Sequence, residues 1–150
     1  MESMWKTLGS WLFLIGIVVA ILVGLVFGIG YSLDANNTNL ANIQAPLGAL
    51  VAVLGFLVGI LSFFALGTIT RERIPTFLIG ALALVVIGVT SSLWEKTWVF
   101  GTWDNLAIFF ANITQYLAIF VAPAAGLLAI RAIWDAGKSE TIENILPKMK

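Results

Sequence analysis

The chain contains neither cysteine nor histidine, and only eight basic and eight acidic side chains among 150 residues. Without cysteine there are no disulfides, thiolate metal sites or thiol nucleophiles; without histidine there is no imidazole ligand, haem anchor or ordinary acid–base shuttle. No Gly-rich phosphate loop, Ser-centred nucleophile elbow or long basic patch for nucleic acid is found either. The sequence therefore predicts a protein that is not an enzyme, carries no metal or other cofactor and has no nucleic-acid partner. What it has in abundance is apolar surface. Hydrophobic residues make up 60% and charged residues 11%, with a mean hydropathy of +1.01, whereas soluble domains carry about 25% charge. This is the composition of an integral membrane protein.

The few charges divide the chain. Uncharged runs extend over Thr7–Leu33, Ala35–Thr70, Ile74–Trp94 and Asn105–Ile130, each longer than the roughly 20 residues that cross a hydrocarbon core as a helix. None alternates with a period of two, and in lipid only a helix satisfies its own backbone hydrogen bonds. The expectation is an all-α fold, a single domain (residues 1–150) of four transmembrane helices at about 11–31, 46–70, 75–94 and 106–134, with a short tail at 135–150. Pro46 and Pro75 read as helix starts, where a missing N–H is no loss. The Asn-rich stretch Ser32–Gln44 reads as an aqueous loop, and the charged stretch Thr70–Ile74 as a tight turn making spans two and three an antiparallel hairpin. The first apolar run is too long for a signal-peptide core and has no cleavage-site pattern after it, so a retained span is expected.

Orientation follows from the basic residues. With the N-terminus inside, Lys6, Arg71, Arg73, Arg131, Lys138, Lys148 and Lys150 fall on the cytoplasmic side, and only Lys96 falls outside. That bias predicts a multi-pass protein of the plasma membrane, N-in/C-in. Arg131, at the inner end of span four, reads as a residue snorkelling beside Trp134.

Helices associate in lipid where small side chains allow backbones to approach. Span one carries Gly16, Ala20, Gly24 and Gly28 at i+4 spacing, and span two carries Gly48, Ala52, Gly55 and Gly59, including a GxxxG element. Span four has its own stripe, Ala107, Ala111, Thr114, Ala118, Ala122, Ala125 and Ala129. These faces serve either the fold's own bundle or the docking of another chain, span one being the leading candidate for the latter.

The polar feature at membrane depth is Asn112, Thr114 and Gln115 on span four, with Pro123 below freeing the carbonyl of Ile119. Asn112 and Gln115, as i and i+3 neighbours, are expected to point together into protein. They form either a small pocket for a headgroup, a quinone carbonyl or water, or hydrogen-bonding glue between helices. Trp94, Trp98, Phe100 and Trp103 crowd the connector before span four and read as an aromatic belt at the headgroup level or, alternatively, a lid facing a partner. Asn36-Asn37-Thr38 matches the N-glycosylation pattern at Asn36, and Asn112-Ile113-Thr114 matches it inside the membrane. In the tail, Ser139 reads as the N-cap of a short surface helix carrying Ile142, Ile145 and Leu146 on one face.

Apart from Arg131 near the inner end of span four, no charged group is expected inside any span, whereas ion-coupled carriers and voltage sensors keep one at membrane depth. The functional expectation is a non-catalytic structural or accessory subunit of a membrane assembly, in contact with lipid and with other subunits or copies of itself. The alternative is a small-solute transport or lipid/quinone-binding protein using the polar patch of the fourth helix.

Overall fold

The computed structural model describes residues 2–34, 36–64, 71–94 and 104–145. Helix α1 spans Glu2–Leu33, α2 Thr38–Phe63, α3 Ile74–Trp94 and α4 Asp104–Ile145, with a short 3-10 turn, Arg71–Arg73, leading into α3. There is no strand among the described residues. All four helices are long and apolar enough to cross a membrane.

The helix ends differ from the sequence expectation in instructive ways. Helix α2 starts at Thr38, well before Pro46, because Asn37 caps it: its Oδ1 accepts from the amides of Asn39 at 3.1 Å and Leu40 at 3.2 Å. Pro46 consequently lies inside α2 and opens nothing, and most of the expected Asn-rich loop is helix. The remaining turn at 34–37 is tied down by the Asn36 amide donating to Asp34 Oδ1 at 3.1 Å. Pro75, by contrast, is the second residue of α3, close to its expected place. Helix α4 is 42 residues long, about 63 Å at 1.5 Å per residue, and runs through both Pro123 and Ser139. Ser139 therefore caps no separate tail helix, and α4 extends well past the roughly 30 Å of a hydrocarbon core.

Helix α4 is the hub, and each of the other three packs along it. The contact points fix the directions. Gly28, Gly24 and Gly16 of α1 face Phe109, Ile113 and Phe120 of α4 in turn, an antiparallel pairing. Gly55 and Gly59 of α2 face Phe120 and Ala124, a parallel pairing, while Gly88 of α3 faces Ala118 and Ile74 clusters with Leu128, antiparallel again. Four alternating crossings result, and the start of α1 and the end of α4 lie at the same end of the bundle, here called the terminal end; the turn between α1 and α2 marks the loop end.

The expected α2–α3 hairpin does not form. Among the described residues α2 and α3 share no packed interface; Gly55 and Gly59 of α2 and Gly88 of α3 are packed on α4 instead. The core lies where α1, α2 and α4 converge, around Ala20, Phe27, Val51, Val58, Tyr116 and Phe120. Two aromatic groups brace it. Phe13 contacts Phe77 and Phe120 with ring centroids 6.4 and 6.1 Å apart, and Phe27 stacks between Tyr31 at 6.0 Å and Tyr116 at 5.3 Å. Leu14, Val18, Leu22 and Val26 of α1 and Ile79, Leu82, Val86 and Val89 of α3 remain exposed, an apolar coat suited to lipid and far too large for water.

Candidate functional site

A strip of α4 between α2 and α3 is left uncovered, and two grooves flank it. The first, about 350 Å³, runs between α3 and α4 and is lined by Gly88, Ser91, Ala111, Gln115, Ala118 and Ala122 among others. The second, about 330 Å³, lies between α2 and α4 and is lined by Ala41, Gln44, Ala45 and Gly48 of α2 with Gln115, Tyr116 and Ile119 of α4. Gln115 and Ile119 belong to both, so they form the ridge between the two grooves. Pro123 has no N–H to offer the Ile119 carbonyl, which places a weakened stretch of backbone on that ridge.

The predicted polar patch divides here. Asn112 is buried, 7% exposed, and turns its amide back onto its own helix, donating to the Ile108 carbonyl at 2.8 Å. Gln115 is exposed and makes no side-chain hydrogen bond. The two do not point together into protein: three residues are 300° of helix rotation, or 60° apart, enough for one to fall under α1 and the other in the open strip. Thr114 bonds its own helix as well, its hydroxyl donating to the carbonyls of Phe110 at 2.9 Å and Ala111 at 3.0 Å. Half-buried Pro123 lies two turns further on. Asn112 and Thr114 are thus satisfied within α4, and neither acts as glue between helices.

The small-residue stripes are largely consumed inside the chain. Gly16, Ala20, Gly24 and Gly28 are buried against α4. A Cβ on Gly24 would approach Ile113 Cα to 2.6 Å, and one on Gly28 would approach Phe109 Cα to 3.0 Å. In α2, a Cβ on Gly55 would fall on the Phe120 carbonyl, and one on Gly59 would lie 2.8 Å from Ala124 Cα. Ala52 is half-buried, whereas Gly48 faces open space. The face of α1 expected to dock a partner is therefore already occupied by α4.

Arg131 does not snorkel. Only 14% exposed, its guanidinium reaches α2 and donates from Nη1 to the carbonyls of Ser62 and Phe63, each at 2.6 Å, while Nε lies 3.9 Å from Asp135 Oδ2. It supplies donors to two carbonyls at the C-terminal end of α2, where a helix has no further amides of its own to fill its acceptors. Asn36 is exposed in the turn and Thr38 opens α2, whereas Asn112 of the second glycosylation match is buried. Trp94 closes α3; its side chain, with Trp98, Phe100 and Trp103, lies outside the described residues, as do the side chains of the tail from 138 onward.

Two functional candidates escaped the sequence reading. Tyr31 donates from its hydroxyl to Gln44 Oε1 at 3.0 Å, joining α1 to α2 at the loop end. Tyr116 is 1% exposed, and its hydroxyl is buried without a hydrogen-bond partner. With α2 expected to begin at Pro46, Gln44 read as a loop residue; the Asn37 cap was the signal that would have placed it two turns into a helix.

No group of acidic side chains suited to a metal occurs among the described residues. The architecture defines a class, an all-helical protein whose four apolar helices mark it as multi-pass in a membrane. Comparison with protein-family models, curated proteins and solved structures gave no match.

Proposed function

We propose that this chain is a non-catalytic structural or accessory subunit of a membrane assembly, and that it receives a transmembrane helix of a neighbouring subunit in the α3–α4 groove. The observation that carries this reading is Gln115. It stands eleven residues into α4, about 17 Å along the axis, near the middle of a hydrocarbon core of about 30 Å. A primary amide at that depth is unfavourable against lipid tails and favourable against a polar side chain of another helix, a contact worth about 1 kcal/mol. Exposed Ala122 along the same helical face, above a floor of Gly88, Ala111 and Ala118, leaves room for the close approach that such a helix needs.

The separation of Asn112 from Gln115 weighs against solute transport, because the polar patch that reading relied on is not one patch. The distribution of Lys and Arg supports a plasma-membrane protein with both termini cytoplasmic. Under this reading, extraction from native membranes in mild detergent yields a species well above the 16.2 kDa of one chain, with a membrane partner in fixed ratio. Gln115→Leu combined with Ala122→Ile, both exposed on the groove, should release the partner while leaving the thermal unfolding of the bundle unchanged. A wild-type chain that runs as a bare monomer under the mildest extraction overturns the proposal.

A further inference from the structure

The α2–α4 groove has a chemistry of its own, independent of any partner helix. From the geometry we infer that it binds the carbonyl group of a membrane-soluble amphiphile, either the ester carbonyl of a glycerolipid or the ring carbonyl of a quinone. The primary observation is Tyr116, whose ring is fixed by stacking on Phe27 at 5.3 Å and whose hydroxyl is buried without a partner. Buried hydroxyls in folded proteins are almost always bonded, and the residue that carries this one is among those lining an open groove of about 330 Å³.

The other polar groups of that wall select the ligand. The Oε1 atom of Gln44 is taken by the Tyr31 hydroxyl, which leaves the Nε2 hydrogens of Gln44 as donors. Tyr116 adds an O–H, and Gln115 at the rim adds an amide able to donate or accept. The site therefore presents at least two side-chain donors, Gln44 Nε2 and the Tyr116 hydroxyl, a match for a carbonyl oxygen. No charged side chain lines it, so phosphate, carboxylate and ammonium groups have no counter-ion there.

Shape and depth agree with the chemistry. Ala41, Ala45 and Gly48 give α2 a flat, shallow wall, and a Cβ on Gly48 would meet nothing within 4 Å. Gln44 is six residues into α2, about 9 Å from its start. Side chains on α4 lean towards its N-terminus, so the Tyr116 hydroxyl is carried towards the same loop end. This is the zone where headgroup region gives way to hydrocarbon, and where the carbonyl of an amphiphile lies when its tail is in the membrane.

The test compares three probes on the purified full chain by native mass spectrometry: dioleoylphosphatidylcholine, its ether-linked analogue without carbonyls, and decylubiquinone. The wild type should retain one ester lipid, or one quinone, at least tenfold better than the ether lipid, and the preferred probe identifies the source of the carbonyl. Tyr116→Phe keeps the ring stack and should abolish the preference; Gly48→Leu fills the groove from the α2 side and should exclude the preferred probe. Thermal unfolding of both variants serves as the folding control. Equal retention of ester and ether lipids by the wild type, with no quinone bound, overturns the inference, as does a preference that survives both substitutions. Neither result bears on partner docking at the α3–α4 groove, which Gln115→Leu with Ala122→Ile tests separately.

Discussion

Helix α2 meets α4 along one seam with two unlike halves. Towards the terminal end, Gly55 and Gly59 bring the backbones together, buried Ser62 follows, and Arg131 closes the seam by bonding the carbonyls of Ser62 and Phe63. Towards the loop end the same kind of residue, Ala41, Ala45 and Gly48, lines a groove, and buried Tyr116 has no hydrogen-bond partner. Small side chains permit close approach in both halves, but the backbones meet in only one. Small-residue spacing thus marks where helices are able to touch, and the state of the nearby polar groups distinguishes a finished contact from a vacant one.

The strongest way to break this comparison is Gly55→Ala. The added methyl would overlap the Phe120 carbonyl, backbone that cannot swing aside as a side chain can, so α2 has to move off α4. Overpacking of this kind costs about 3 kcal/mol, and thermal unfolding in detergent should fall sharply. A variant that melts like the wild type would mean the seam is looser than the structure shows.

Arg131→Met comes next. It keeps a long apolar side chain but withdraws charge-assisted hydrogen bonds from two carbonyls at the end of α2, a loss of about 2 kcal/mol. The effect should be local as well as global: amide hydrogen exchange should rise over the last turn of α2, at residues 60–64, and stay unchanged near Asn37. Uniform exchange along α2 would assign Arg131 to solvent, as the sequence alone suggested.

That misplacement shows what was legible. Runs between charges located all four helices because the lack of charge is a property of each segment by itself, and α3 falls at Ile74–Trp94 almost as expected. The start of α2 was read from Pro46, whose ring suits a first turn; nine residues upstream, the Asn37 side chain performs the capping that actually starts the helix. Long-range choices were not readable at all. Which helix receives Arg131, and whether the stripe of α1 faces α4 or a second chain, depends on all four helices competing for the small-residue surface of α4. The grooves were hidden for the same reason: Gln115 and Asn112 are neighbours in sequence, yet α1 covers one and the absence of an α2–α3 interface uncovers the other.

The smallest effect sharpens the comparison most, because it uses the same substitution at the other half of the seam. Gly48 is seven residues before Gly55 on α2, two turns away and near the same face, yet a Cβ built there would meet nothing within 4 Å. Gly48→Ala therefore adds a methyl to empty space and restricts a flexible helix position. Alanine is favoured over glycine inside a helix by up to about 1 kcal/mol, so the melting temperature should stay level or rise slightly. If Gly48→Ala instead destabilised the chain as Gly55→Ala does, the loop-end half would have to be closed in the folded protein. Small residues on α2 would then all be packing devices, and the unpartnered Tyr116 would have no groove to serve.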